Sequence, residues 1–215
     1  MQLCLNTSGF CSPFTASAIP LPEKIRLTAA AGYRLIELWI NELDEYVAAG
    51  GSLATVKAML DDAGLSVPSV ITLFGWMEAS DADFPRVLDE ARRRMDVAAA
   101  VGSPHIVATP AVERQPAFWY LDLDATAARY RDLLVAGESC GVAPMMEFLG
   151  FVGSVYLLEQ AQAVVELADH PAASLVLDPF HLWRGGLCGY GEGKIRGGAW
   201  NSFRTMSMCN APPRV

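Results

Sequence analysis

The sequence predicts an α/β fold of repeated strand–helix units, a parallel barrel that stops short of closure. Three observations predict it. Glycines 32, 64, 102 and 141 each stand between a helical stripe and an apolar run, where a left-handed residue turns the chain back. Their even spacing holds one strand, one helix and loops per unit, and such alternation implies parallel strands with crossover helices. Polar and aromatic residues gather at the ends of several different strands, as on the loop-bearing rim of a barrel. The first strand is followed by Asn6-Thr-Ser-Gly-Phe, not by the GxGxxG of an open dinucleotide-binding sheet. Finally, 215 residues fall short of the roughly 250 that eight units need.

The elements follow in order. Residues 2–6 form a short apolar strand, and a polar loop continues to Pro20. Pro22 fits the first turn of a helix that includes residues 25–31. Residues 33–39 make a second strand ending in Glu37-Leu-Trp39, and residues 53–63 a helix with Ser52 as N-cap. The third strand spans 65–73, with 74–76 as its exit loop. Leu88, Ala91, Met95 and Ala98 mark the next helix, 104–109 the fourth strand, and Ala127, Tyr130 and Leu134 the helix after it. Residues 142–150 are an apolar run carrying Glu147. Leu158, Ala161, Val165 and Ala168 are helically spaced, and residues 173–186 repeat the strand design with Asp178 and His181. A seventh strand fits within 203–209, and nothing remains for an eighth. The reading is a single domain, 1–215, with an atypical Gly-rich tail from about 187.

Composition narrows the function. With 52% hydrophobic and 19% charged residues, the chain is globular. A net charge of −8 argues against nucleic-acid binding. The basic run Arg92-Arg93-Arg94 lies in a helix and reads as a solvated face. Five cysteines without CxxC spacing read as free thiols. No signal peptide or roughly 20-residue apolar span is evident, so a cytoplasmic chain with no membrane partner is expected.

Glu147 and Asp178 end successive strand-like runs, and neighbouring strands lie about 4.8 Å apart. Either carboxylate alone reads as a loop or helix cap. The matched pair, with His181 three residues after Asp178, reads as a site able to share one metal ion. Glu37 either lines that site or makes a structural hydrogen bond. Trp39, Phe74, Trp76, Trp119, Phe180 and Trp183 fall near strand exits, as walls for a sugar face or as rim packing. Arg184 either holds an anionic substrate group or pairs on the surface. His105 reads as a core histidine and His170 as solvated.

The segments Leu3-Cys-Leu-Asn6, Ala31-Gly-Tyr-Arg-Leu-Ile-Glu-Leu-Trp39, Met145-Met-Glu147-Phe-Leu-Gly150 and Leu177-Asp-Pro-Phe-His181 resemble the sugar phosphate isomerase/epimerase family. These are the xylose isomerase-like TIM barrels, a group that also holds inosose dehydratases and AP endonucleases. The resemblance covers about residues 1–186. It implies an incomplete (β/α)8 TIM barrel of about six to seven units, and one divalent metal (Mn or Mg, with Zn as a further option). Glu147 is implied as metal ligand and catalytic base, Asp178 as metal ligand, and His181 as a catalytic and substrate-binding group. Glu37, Trp39, Trp76 and Arg184 complete the implied substrate-binding set. Two further ligands of the family, a His and a Glu from the last strands, have no match; Ser207-Met-Cys-Asn-Ala-Pro212 lacks the histidine. The sequence therefore reads as C-terminally truncated, with metal binding weakened or lost.

The function expected is a sugar or polyol isomerase/epimerase moving a proton through an enediolate, with dehydration as a close variant. The alternatives are an AP endonuclease-like enzyme, disfavoured by charge, and a non-catalytic remnant. The expected partner is a small sugar or polyol, and unpaired strand edges leave room for a homo-oligomer.

Overall fold

Parallel strands follow one another across the sheet in chain order, without a switch point. They are β1 (Cys4–Asn6), β2 (Leu35–Trp39), β3 (Val70–Leu73), β4 (His105–Ala108), β5 (Ala143–Glu147), β6 (Leu175–Val176) and β7 (Met206–Ser207). Each pairs in parallel with the next. The computed structural model describes residues 2–10, 19–110, 121–187 and 206–207. A doubly wound sheet would reverse its strand order part-way; this monotonic order is that of a barrel, of which the described residues supply seven strands.

The helices are α1 (Leu21–Ala30), α2 (Ile40–Ala48), α3 (Leu53–Asp62), α4 (Phe84–Ala100), α5 (Leu123–Glu138), α6 (Leu158–Ala168) and the single turn α7 (Pro179–Leu182). The four punctuating glycines all hold positive φ, between 65° at Gly64 and 86° at Gly32. Ser52 caps α3 by accepting from the Thr55 N–H at 3.1 Å. The helical stripes face the sheet: Ala91, Met95 and Ala98 of α4 and Ala127, Tyr130 and Leu134 of α5 are buried with Ile36, Leu38, Val70 and Ile106 of the strands. Burial of this apolar face, at roughly 25 cal/mol per Å², holds the layers together.

The structure departs from the sequence reading in three places. Helix α2 is additional; Ile40 and Leu43, three apart, are its buried anchors. Strand β3 begins at Val70 rather than 65, because Pro68 has no N–H to donate to a ladder and only an isolated bridge, Leu35 to Ser66, precedes it. Strand β6 is two residues long, so Asp178 lies beyond the strand end. The candidate strand in 203–209 is described only at Met206–Ser207; the rest of the tail after residue 187 lies outside the described residues.

The arginine run is ion-paired and is solvated at Arg92 and Arg93, whereas Arg94 is largely covered, donating to the Thr72 carbonyl and lying over the Phe74 ring. Arg92 meets Asp89, Arg93 meets Asp44 and Glu90, and Arg94 meets Glu90. Cys140 is a free thiol, Cys4 is buried in β1, and the other three cysteines lie outside the described residues. Among the described residues, no helix is long and apolar enough to cross a membrane.

Candidate metal centre and active site

Parallel strands point their C-terminal ends to one rim, and β5 and β6 deliver the site there. Buried Met145 and Met146 anchor β5, and Glu147 is its last residue. Val176 of β6 is in register with Glu147, so Asp178 stands two residues further on and shares its face. Asp178 also starts α7: Oδ1 accepts from the Phe180 N–H at 2.7 Å, with Pro179 in the first turn. The cap occupies one oxygen and leaves the other. Asp178 Oδ2 lies 3.8 Å from His181 Nε2, and Glu147 Oε1 lies 4.0 Å from the same nitrogen. One atom from each of the three residues falls within 4.8 Å of the others.

The electrostatics are those of crowded acids. Burial, reinforced by the charges of Asp178 and Glu37, pushes the Glu147 carboxyl up to about 8. Burial also raises Glu37, with Asp178 adding to the shift and hydrogen bonds from Ser69 and Asn6 opposing it. Burial lowers His181, with Asp178 opposing. Among the described residues, no lysine or arginine pairs with Glu147 or Asp178, and the basic group that approaches them is the His181 imidazole. Two carboxylates facing one point, with Glu37 adding to the negative charge around Glu147, fit a divalent cation that takes oxygen ligands.

His181 is held from its far side. The Gly150 N–H donates to Nδ1 at 3.3 Å, so a neutral imidazole carries its proton on Nε2. That proton points at the carboxylates but lies beyond hydrogen-bond reach of either. His181 is therefore presented as a donor, and as a metal ligand Nε2 would first have to give up its proton. Gly150 permits the approach: a Cβ there would sit 2.5 Å from the His181 carbonyl oxygen and 2.6 Å from the Gly185 nitrogen. Phe151 and Phe180 flank the imidazole at 5.4 and 5.2 Å between ring centres.

The chain has known relatives. The family model for the xylose isomerase-like TIM barrel matches residues 25–204. The chain belongs to that family. It is 29% identical over 165 residues to the 3-dehydroshikimate dehydratase of Pseudomonas putida, covering 75% of this chain and 24% of that protein. The chain thus spans about a quarter of that relative's length. Two solved structures share the fold. The IOLI protein with a bound zinc atom is 23% identical with a TM-score of 0.75, over 86% of this chain and 66% of that one. D-psicose 3-epimerase in the presence of D-fructose is 18% identical with a TM-score of 0.69, over 85% and 65%.

In this xylose isomerase-like barrel, the residues singled out from sequence take different places. Glu147, Asp178 and His181 come together. Glu37 is buried beside them with both oxygens occupied, accepting from Asn6 Nδ2 at 2.7 Å and Ser69 Oγ at 2.5 Å; it makes a structural hydrogen bond. Trp39 is half-buried at the end of β2. Trp76 needs correction: it is 0% exposed, donates to the Thr109 carbonyl at 2.8 Å and packs against Tyr130, so it has no face for substrate. A strand exit is also where the core closes over, and position alone does not separate the two roles. Arg184 is exposed in the wide helical turn Trp183–Leu187. Phe74, Phe180 and Trp183 are exposed, and Trp119 lies outside the described residues. His105 is held to the Pro68 carbonyl and His170 to Glu138, away from the acids.

Sequence reasoning gave no role to Asn6 or Ser69. Ser69 is 0% exposed, and a polar residue inside the apolar run Val67–Leu73 was the available signal.

Proposed function

We propose that the chain carries the metal site of an enzyme that removes a proton next to a carbonyl on a polyhydroxylated small molecule. The observation that supports this most is the convergence of Glu147 and Asp178 on the Nε2–H of His181. Glu147 and Asp178 would hold the divalent ion, which supplies Lewis-acid polarisation of a substrate carbonyl when bound. The residues account for the rest. Burial raises the Glu147 carboxyl in the metal-free chain, and its ionised form is the one that serves as cation ligand and as base. Glu147 takes the carbon-bound proton, the C–H electron pair becomes a C=C bond, and the carbonyl π pair moves onto its oxygen to give an enolate. His181 hydrogen-bonds a substrate hydroxyl oxygen through its Nε2–H, and that proton is transferred only if the hydroxyl leaves.

The outcome depends on that hydroxyl. If it leaves, the enolate oxygen pair reforms the carbonyl, the C=C pair shifts as the C–O bond breaks, and the hydroxyl takes the His181 proton to become water. The product is an unsaturated ketone, and the reaction is a dehydration. If it stays, reprotonation at carbon gives an epimer or isomer. Dehydration of a cyclic hydroxy-ketone is the first reading, supported by the identity to a 3-dehydroshikimate dehydratase. Isomerisation or epimerisation of a sugar is the second, because the same three residues serve it.

The test is hydrogen exchange at carbon. The chain with Mn²⁺ is incubated in D₂O with 3-dehydroshikimate and, separately, with ketohexoses, and followed by NMR. Deuterium entering next to the carbonyl, lost in Glu147→Gln, is expected. Loss of water with 3-dehydroshikimate alone selects dehydration. No exchange with either class, in a chain that binds Mn²⁺, overturns the proposal.

A further inference from the structure

Asn6 stands opposite Glu37 across the β1–β2 pair, and its side-chain amide has a fixed sense. Its Oδ1 accepts from Trp39 Nε1 at 2.9 Å and from the Ser8 N–H at 2.8 Å. Both partners can only donate, so the amide oxygen must face them. Nδ2 must then face Glu37, and it donates to Oε2 at 2.7 Å. Ser69 holds the other oxygen of Glu37. The hydrogen bonds thus run from Trp39 through Asn6 into a buried carboxylate.

Placement makes this more than local packing. Glu37 and Trp39 are two apart on β2 and share a face of the sheet. That face is the one that carries Glu147: Trp39 is in register with Ile71, Ile71 with Val107, and Val107 with Met145, two residues before Glu147. Trp39 lies one step nearer the rim, and an indole there offers a flat wall to a ring. Its plane is set by the one hydrogen bond its N–H makes to Asn6.

We infer that Asn6 and Glu37 are positioning residues that lock the Trp39 indole as a wall of the active site, without touching substrate. That a substrate lies against this wall rests on the function proposed above; the lock itself does not. Each step needs complementary polarity. A swapped pair, Asn6→Asp with Glu37→Gln, preserves it. The carboxylate then placed on β1 accepts from Trp39, Ser8 and the new amide on β2, and the oxygen of that amide accepts from Ser69.

The test reads the Trp39 indole N–H by NMR of the full chain without substrate or metal, assigned by its disappearance in Trp39→Phe. Asn6→Leu should speed its exchange with solvent about tenfold, the equivalent of one hydrogen bond. Glu37→Met, which leaves the indole's own partner in place, should still speed exchange about threefold or more by loosening Asn6. The swapped pair should match the wild-type signal. Unchanged exchange in folded Asn6→Leu or Glu37→Met overturns the inference. If either apolar variant fails to fold, the swapped pair decides: a wild-type indole signal supports the lock, and an altered signal or an unfolded chain overturns it. Because no turnover is read, this outcome is independent of whether the proposed reaction occurs.

Discussion

The Gly150 N–H donates to Nδ1 of His181 at 3.3 Å, so the loop after β5 decides which nitrogen of a histidine on α7 carries the proton. A donor and a ligand respond differently to deletion. His181→Ala should leave Mn²⁺ affinity within about threefold, while the proton-transfer rate falls by about 10²–10⁴, as for loss of a general acid. Calorimetry and the rate of water loss from 3-dehydroshikimate read the two effects separately. A fall in Mn²⁺ affinity beyond about tenfold would make Nε2 a ligand and the Gly150 hydrogen bond the support of a metal-binding tautomer.

Gly150 itself is under steric rather than conformational demand. The atoms its Cβ would meet, the His181 carbonyl oxygen and the Gly185 nitrogen, belong to backbone and cannot swing aside. Gly150→Ala should therefore push α7 away from β5 and cost about 1–3 kcal/mol, as overpacking does. A lowered melting temperature with a shifted His181 ring resonance is the expected result. An unchanged resonance would mean that α7 absorbs the methyl without moving its histidine.

Much of the fold was legible because it depends on local rules. Gly32, Gly64, Gly102 and Gly141 mark four helix-to-strand turns, and all four take the left-handed conformation. Helix α2 escaped because its nine residues carry only two buried anchors, Ile40 and Leu43, too short a stripe to stand out beside Glu42, Asp44 and Glu45. At the site, Glu147, Asp178 and His181 were legible from motif and spacing. The roles of Glu37 and Trp76 were not, since each depends on partners over 30 residues away: Ser69 and Asn6 for one, Thr109 for the other. A sequence shows that an acid or an indole is near a rim; only the fold shows what already occupies its polar atoms.

The two tryptophans near the rim should separate cleanly. Trp76→Phe deletes the hydrogen bond to the Thr109 carbonyl and leaves a gap against Tyr130. It should destabilise the chain by about 1–3 kcal/mol with substrate affinity unchanged. Trp39→Phe should cost less stability, because Trp39 is half-buried, and should weaken substrate binding. Urea melts beside substrate titrations check both, and a substrate effect from Trp76→Phe would contradict its place in the core.

Asp178 has two duties that one substitution can divide. Asp178→Asn keeps an oxygen to accept from the Phe180 N–H and removes the charge. Asparagine and aspartate cap equally well, so α7 should hold while Mn²⁺ affinity falls about tenfold or more. Asp178→Ala should add a stability loss of about 0.5–2 kcal/mol from the missing cap. Equal Mn²⁺ affinity in Asp178→Asn and wild type would reduce Asp178 to a cap.

The Glu147 carboxyl near 8 makes stability and metal binding move in opposite directions with pH. Its ordinary value is 4.5, so between 4.5 and 8 the folded chain holds a proton that the unfolded chain releases. Stability contributed by this group is therefore full below about 4.5 and is lost as pH rises through 8, at no more than about 1.4 kcal/mol per pH unit. The same proton competes with a cation. Mn²⁺ affinity should rise by up to about tenfold per pH unit towards 8 and level off above it. Melting temperatures at pH 6 and pH 8 should show the metal-free chain weaker at pH 8, Mn²⁺ offsetting the loss there, and Glu147→Gln nearly flat across the interval. A fall in Glu147→Gln as steep as in wild type would assign the pH dependence to another group and leave Glu147 ionised at neutral pH.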